Sequence, residues 1–74
     1  RRGLQARLYT GLGRVYAERL GASDRALAAY EKAIGLQATA ANLAAAVPLY
    51  RKASKPAELV ATLLNLADHQ QGEA

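Results

Sequence analysis

Tyr9-Thr10-Gly11-Leu12-Gly13-Arg14-Val15-Tyr16, followed by Ala26-Leu27-Ala28-Ala29-Tyr30-Glu31-Lys32-Ala33, decides the reading of this chain. Around the first stretch, Leu4, Leu8, Leu12, Val15, Tyr16 and Leu20 recur every three or four residues, the spacing of a helix that buries one stripe. In the second, small alanines alternate with Leu27, Tyr30 and Ile34, so that a second helix can approach Gly13 closely. Between them, Glu18 to Asp24 carries turn chemistry. Gly21 can take the left-handed conformation that closes a helix, and Ser23 or Asp24 can accept the free N–H groups that open the next.

The same pattern returns further along. Leu43, Ala46, Val47 and Tyr50 each lie 34 residues after Tyr9, Leu12, Gly13 and Tyr16, and Leu59, Leu63 and Leu66 each lie 33 after Ala26, Tyr30 and Ala33. With these residues the chain resembles the tetratricopeptide-repeat family, whose repeats of about 34 residues carry W-x2-L-G-x2-Y on a first helix and A-x3-F on a second. Three positions depart from that pattern. The usual Trp is Tyr9 and then Leu43, the close-contact glycine becomes Val47 in the second copy, and the usual closing proline is Ala38. A generic pair of helical hairpins is the alternative.

The resemblance implies an all-α fold, two antiparallel helical hairpins forming part of an α-solenoid. The first hairpin is expected at 5–38 and the second at 39–70, with 1–4 and 71–74 as flanking tails. Helices are predicted from Gln5 to Leu20, Asp24 to Leu36, Thr39 to Ala53, and from Pro56 onward, with turns near Gly21, Ala38 and Ser54. The second helix buries Ala26, Leu27, Tyr30, Ala33 and Ile34, and the third presents Leu43, Ala46, Val47 and Tyr50 inward with Thr39 as its cap. Pro48 inside the third helix removes a hydrogen bond to the carbonyl of Ala44, so a bend is expected there. Pro56 suits a first turn, and Glu58 favours the positive end of the fourth helix. Leu59, Val60, Leu63, Leu64, Leu66 and Ala67 form an apolar surface wider than one partner helix needs, which points to neighbouring repeats or to self-association. Two repeats without a polar cap read as a segment of a larger array.

Composition narrows the function classes. Seventy-four residues, 51% of them hydrophobic, build one small helical unit with a modest core. The absence of cysteine excludes disulfides and thiolate metal sites and tips the reading toward a reducing compartment, the cytoplasm. The longest apolar run, Leu43 to Tyr50, is far short of a membrane span. Gly11-Leu12-Gly13 lacks the strand and the Lys-Ser/Thr of a phosphate loop, and His69 with the adjacent Asp68 lacks metal-ligand spacing. No carboxylate pair shares a helix face, and Ser23 and Ser54 are read as helix-start hydroxyls, so the chain is read as no enzyme and without cofactor or metal. The four tyrosines fall on packing positions, which disfavours nucleic acid as the ligand.

A net charge of +4, with seven arginines and three lysines, favours an acidic partner. In tetratricopeptide arrays the first helix of each hairpin lines a concave groove, and by that resemblance Arg7, Thr10, Arg14 and Glu18 face it in the first repeat. Ala44, Pro48 and Arg51 occupy matching positions in the second, with Ala41 less securely aligned. The implied function is a protein-protein interaction scaffold that binds an acidic or amphipathic segment, its arginines donating forked hydrogen bonds to carboxylates. An architectural spacer that stacks on neighbouring repeats or subunits is the alternative, and a basic nucleic-acid binder a lesser one.

Overall fold

The turn chemistry divides the described residues into four α-helices, α1 (Arg2–Glu18), α2 (Ser23–Leu36), α3 (Ala40–Lys52) and α4 (Pro56–Glu73). The computed structural model describes the backbone of residues 2–73 and the side chains of residues 2–69, and no strand occurs among the described residues. Of the expected tails, residues 2–4 and 71–73 are helical, while Arg1 and Ala74 lie outside the described residues.

Each turn is closed by local chemistry. Gly21 has a φ of 60°, the left-handed conformation expected of it, and the Ala22 N–H donates to the Tyr16 carbonyl at 2.8 Å. The cap of α2 departs from expectation: Ala22 occupies the N-cap position without a side-chain hydrogen bond, and Ser23 and Asp24 are already helical. Thr39 does cap α3, its hydroxyl accepting from the Asn42 N–H at 3.2 Å. At the other end of α3 the expectation fails again. Ser54 does not open α4 but closes α3 with a φ of 57°. Its N–H donates to the Arg51 carbonyl at 3.2 Å and the Lys55 N–H donates to the Tyr50 carbonyl at 3.0 Å, the paired bonds of a Schellman motif with serine where glycine is usual. The helix is unbroken through Pro48, which is exposed, as is Ala44 four residues before it.

Packing follows from residue size. A Cβ on Gly13 would stand 2.8 Å from the Tyr30 ring, so the missing side chain is what lets α1 lie on α2. Gly3 in the first turn of α1 sits beside Gln37 just past α2, so the two helices run antiparallel. Helices α3 and α4 are also in contact and fold back across the short turn at 53–55. The core is at the seam of α2 and α3, where Ala26, Leu27 and Tyr30 meet Ala46, Leu49 and Tyr50, flanked by Tyr16 and Ala17 of α1 and Leu59 of α4. The whole measures 36 × 31 × 16 Å, a slab rather than a ball.

The main correction concerns α1. Its expected buried stripe is open to solvent: Leu4, Leu8, Leu12, Val15 and Leu20 are all exposed. The face that packs carries Ala6 and Gly13, with Tyr9, Thr10, Tyr16 and Ala17 half-buried. At 3.6 residues per turn, Leu8 and Gly13 lie about 140° apart around the helix. Close approach to Tyr30 selects the small-residue face, and the leucine face is left largely open to solvent.

Candidate functional site

An open cleft of about 390 Å³ lies between α1 and the start of α3, lined by Ala6, Arg7, Thr10, Gly11, Arg14, Gln37, Thr39, Ala41 and Asn42. The 7, 10/11, 14 spacing puts one side of the cleft on a single face of α1. The turn after α2 supplies the other side, because Thr39 starts α3 directly behind Gln37. Gly11 opens the floor: a Cβ there would meet nothing within 4 Å.

Asn42 anchors the wall. It is 4% exposed, and its side-chain oxygen lies 2.7 Å from the Thr10 hydroxyl, joining α3 to α1. The Thr10 hydroxyl also lies 2.8 Å from the Ala6 carbonyl, and its single proton serves one acceptor at a time. The Asn42 Nδ2 reaches only the Gln37 carbonyl, at a long 3.5 Å, so the amide keeps donor capacity beside the cleft. Arg7 and Arg14 are exposed on the rim, and among the described lining residues there is no carboxylate and no aromatic ring. The cleft therefore presents positive charge, an amide donor and a bare backbone surface.

No family model, curated protein or solved structure matches the chain.

Of the residues expected at the groove, Arg7, Thr10 and Arg14 share this cleft, and Ala41 joins them. Glu18, Ala44, Pro48 and Arg51 do not line it; all four are exposed, Glu18 at the end of α1 and the others along one face of α3. Sequence reading missed Gln37, Thr39 and Asn42. The signal for Asn42 was present, since a polar residue three positions after a Thr cap, inside an apolar helix, needs a partner.

The other polar feature is structural in kind. Tyr50 donates its hydroxyl proton to the Glu31 carboxylate at 2.8 Å across the seam of α2 and α3. Burial first, and then the hydrogen bond and negative charge of Glu31, push its pKa up to about 12. Tyr9 and Tyr16 are half-buried on the opposite side of α1, where the Lys32 ammonium lies 5.8 Å from the Tyr9 ring centre. Among the described residues no helix is long and apolar enough to cross a membrane.

Proposed function

We propose that the chain is a non-catalytic protein-interaction segment, a tetratricopeptide-like array of two hairpins whose concave face binds an acidic or amphipathic peptide or partner helix. The observation that carries this reading is the basic cleft, in which Arg7 and Arg14 flank the uncovered Gly11 and face the donor amide of Asn42. Guanidinium groups pair with carboxylates through two parallel hydrogen bonds, and a backbone-lined floor admits a peptide chain. A nucleic-acid ligand is less well served, because the cleft offers a base no ring to stack on.

Titration calorimetry of the chain with a Glu-rich amphipathic peptide tests the reading. Replacing both Arg7 and Arg14 with Glu is expected to weaken binding by at least about tenfold while leaving helicity intact. Equal affinity for the wild type and the double variant would rule the groove out. A second reading, a spacer that stacks on neighbouring repeats or subunits, is favoured by a different observation, the exposed apolar faces of α1 and α4.

A further inference from the structure

The two uncovered faces of the slab are copies of the two faces that already meet inside it. At the 34-residue spacing, Leu8, Leu12 and Val15 of α1 correspond to Asn42, Ala46 and Leu49 of α3. The first three are 63%, 47% and 45% exposed, whereas the second three are 4%, 0% and 9% exposed, Asn42 against Thr10 of α1 and Ala46 and Leu49 in the core with α2. At the 33-residue spacing, Val60 and Leu63 of α4 correspond to Leu27 and Tyr30 of α2. Here too the exposed pair, at 55% and 43%, matches a buried pair at 4% and 6%. The face of α4 is the face α2 turns toward α3, and the face of α1 is the face α3 turns toward the first hairpin, and among the described residues both are open to solvent.

From this we infer that the chain self-associates head to tail, the α4 face of one copy seating on the α1 face of the next in the register of the internal α2–α3 seam. This goes beyond a general stacking role, since it names the partner, both faces and the polarity, and it does not depend on the groove reading.

Three observations favour a second copy in this orientation. Size is the first: Leu8 and Leu12 are larger than Asn42 and Ala46, while Val60 and Leu63 are smaller than Leu27 and Tyr30. Although Val15 is smaller than Leu49, the α1 face gains volume on balance while the α4 face loses it, changes of opposite sign as a packed seam requires. The second is polarity. Inside the chain Thr10 of α1 meets Asn42 of α3, and Glu31 of α2 meets Tyr50 of α3. The same register between copies pairs Ala44 with Leu8, which turns the first contact apolar on both sides at once, and sets Leu64 against the ring of Tyr16 in place of a carboxylate against a tyrosine. Leu64, 64% exposed in the single chain, acquires a reason to be leucine. The third is charge. Helix α1 carries Arg2, Arg7 and Arg14 against Glu18, whereas α4 through His69 carries Glu58 and Asp68 and no Lys or Arg. Unlike ends attract and like ends repel, which selects head-to-tail contact over a two-fold dimer.

Sedimentation of the 74-residue chain with its two faces blocked separately is the test. Leu8→Lys with Leu12→Lys blocks the α1 face, and Val60→Glu with Leu63→Glu blocks the α4 face. The residues are exposed, so helicity by circular dichroism should hold; Leu8→Gln and Val60→Thr are milder replacements for any variant that loses it. Wild-type mass is expected to rise with concentration without a closed limit, and to fall as salt is raised. Each blocked variant should lose about a hundredfold in self-association. Mixed in equal amounts, the two variants keep one intact face each and should form a dimer of twice 7.8 kDa that grows no further. A wild-type chain that stays monomeric overturns the proposal, as does a blocked variant that still dimerises alone or a mixture that does not pair. Arg7 and Arg14 enter here only through the overall charge of α1 and are unchanged in every blocked variant, so failure here and failure of the groove are separable.

Discussion

Replacing Gly11 and Gly13 by alanine, one at a time, separates helix propensity from packing. Both glycines lie inside α1, where Gly→Ala stabilises an exposed helix by about 0.8–1.0 kcal/mol. At Gly11 nothing opposes that gain, since the added Cβ meets no atom within 4 Å. At Gly13 the Cβ would stand 2.8 Å from Tyr30 Cε2 and 2.9 Å from Cδ2 and Cζ, roughly 1 Å inside the usual carbon–carbon separation of about 3.5–4.0 Å. The ring cannot swing away freely, because Tyr30 is buried among Leu27, Leu49 and Tyr50. Overpacking of this kind costs about 1–3 kcal/mol. The propensity gain is common to both variants, so the difference between them isolates the collision at about 1–3 kcal/mol. In a domain of this size 1 kcal/mol moves Tm by about 4–8 °C. Thermal unfolding followed by circular dichroism, at one protein concentration so that association does not intrude, should place Gly11→Ala above the wild type and Gly13→Ala at least about 4 °C below Gly11→Ala. Equal stabilisation by the two substitutions would falsify the close approach of α1 to Tyr30 on which the hairpin packing rests.

Three further perturbations test the local chemistry. Ser54→Gly relieves a left-handed serine at about 1 kcal/mol, partly offset by the added freedom of the unfolded chain, so a net gain of up to about 0.5 kcal/mol and a small rise in Tm are expected; a clear fall would contradict the Schellman closure of α3. Thr39→Ala removes the α3 cap and should cost about 1 kcal/mol by urea denaturation, with no loss counting against the cap. Tyr50 has a pKa raised from 10.0 to about 12 in the fold, so the unfolded chain releases this proton first as pH rises. The stability it contributes is complete below pH 10 and is lost as pH climbs through about 12, by roughly 2 kcal/mol. The advantage of wild type over Tyr50→Phe should therefore shrink across that window in denaturant titrations, and parallel curves would sink the assignment.

The helices and their order were legible because periodicity, Gly21, Thr39 and Pro56 all act locally. So was the contact of Gly13 with Tyr30, which needs only a bare position on one helix and a large ring on the next. The side of α1 that packs was not legible. Periodicity reports that Leu4, Leu8, Leu12 and Val15 share a face, but it carries no information on whether the chain itself supplies a helix to cover them. The same gap hid the burial of Ala29 and Leu49, which depends on how α2 and α3 cross. Half of the cleft was readable for a similar reason: Arg7, Thr10 and Arg14 are set by one helix, whereas Gln37, Thr39 and Asn42 reach the cleft only through the path of the connection after α2. Capping chemistry misled twice, because a serine beside a turn can end a helix as well as begin one, and Ala22 can start α2 with no side-chain acceptor.

Two of the residues that fall outside the cleft, Ala44 and Pro48, would have a place once copies are stacked. Shifted by one repeat, the α1 side of the cleft, Arg7, Thr10, Gly11 and Arg14, becomes Ala41, Ala44, Ala45 and Pro48 of α3. The facing side, Gln37, Thr39, Ala41 and Asn42, becomes Gly3, Gln5, Arg7 and Leu8 of the next copy. On the proposed stack, then, a second cleft forms at each junction, lined mainly by small and apolar residues, and it alternates with the basic cleft inside each chain. A ligand running along such a surface would meet arginines and apolar ground by turns, which is the chemistry of an acidic amphipathic segment rather than of a uniformly charged one. Such a ligand crossing a junction would touch two copies, so it would bind the stacked form more tightly than the single chain. By linkage it would strengthen stacking by the same factor. Recognition and assembly, argued from separate residues, would then be two readings of one repeat register.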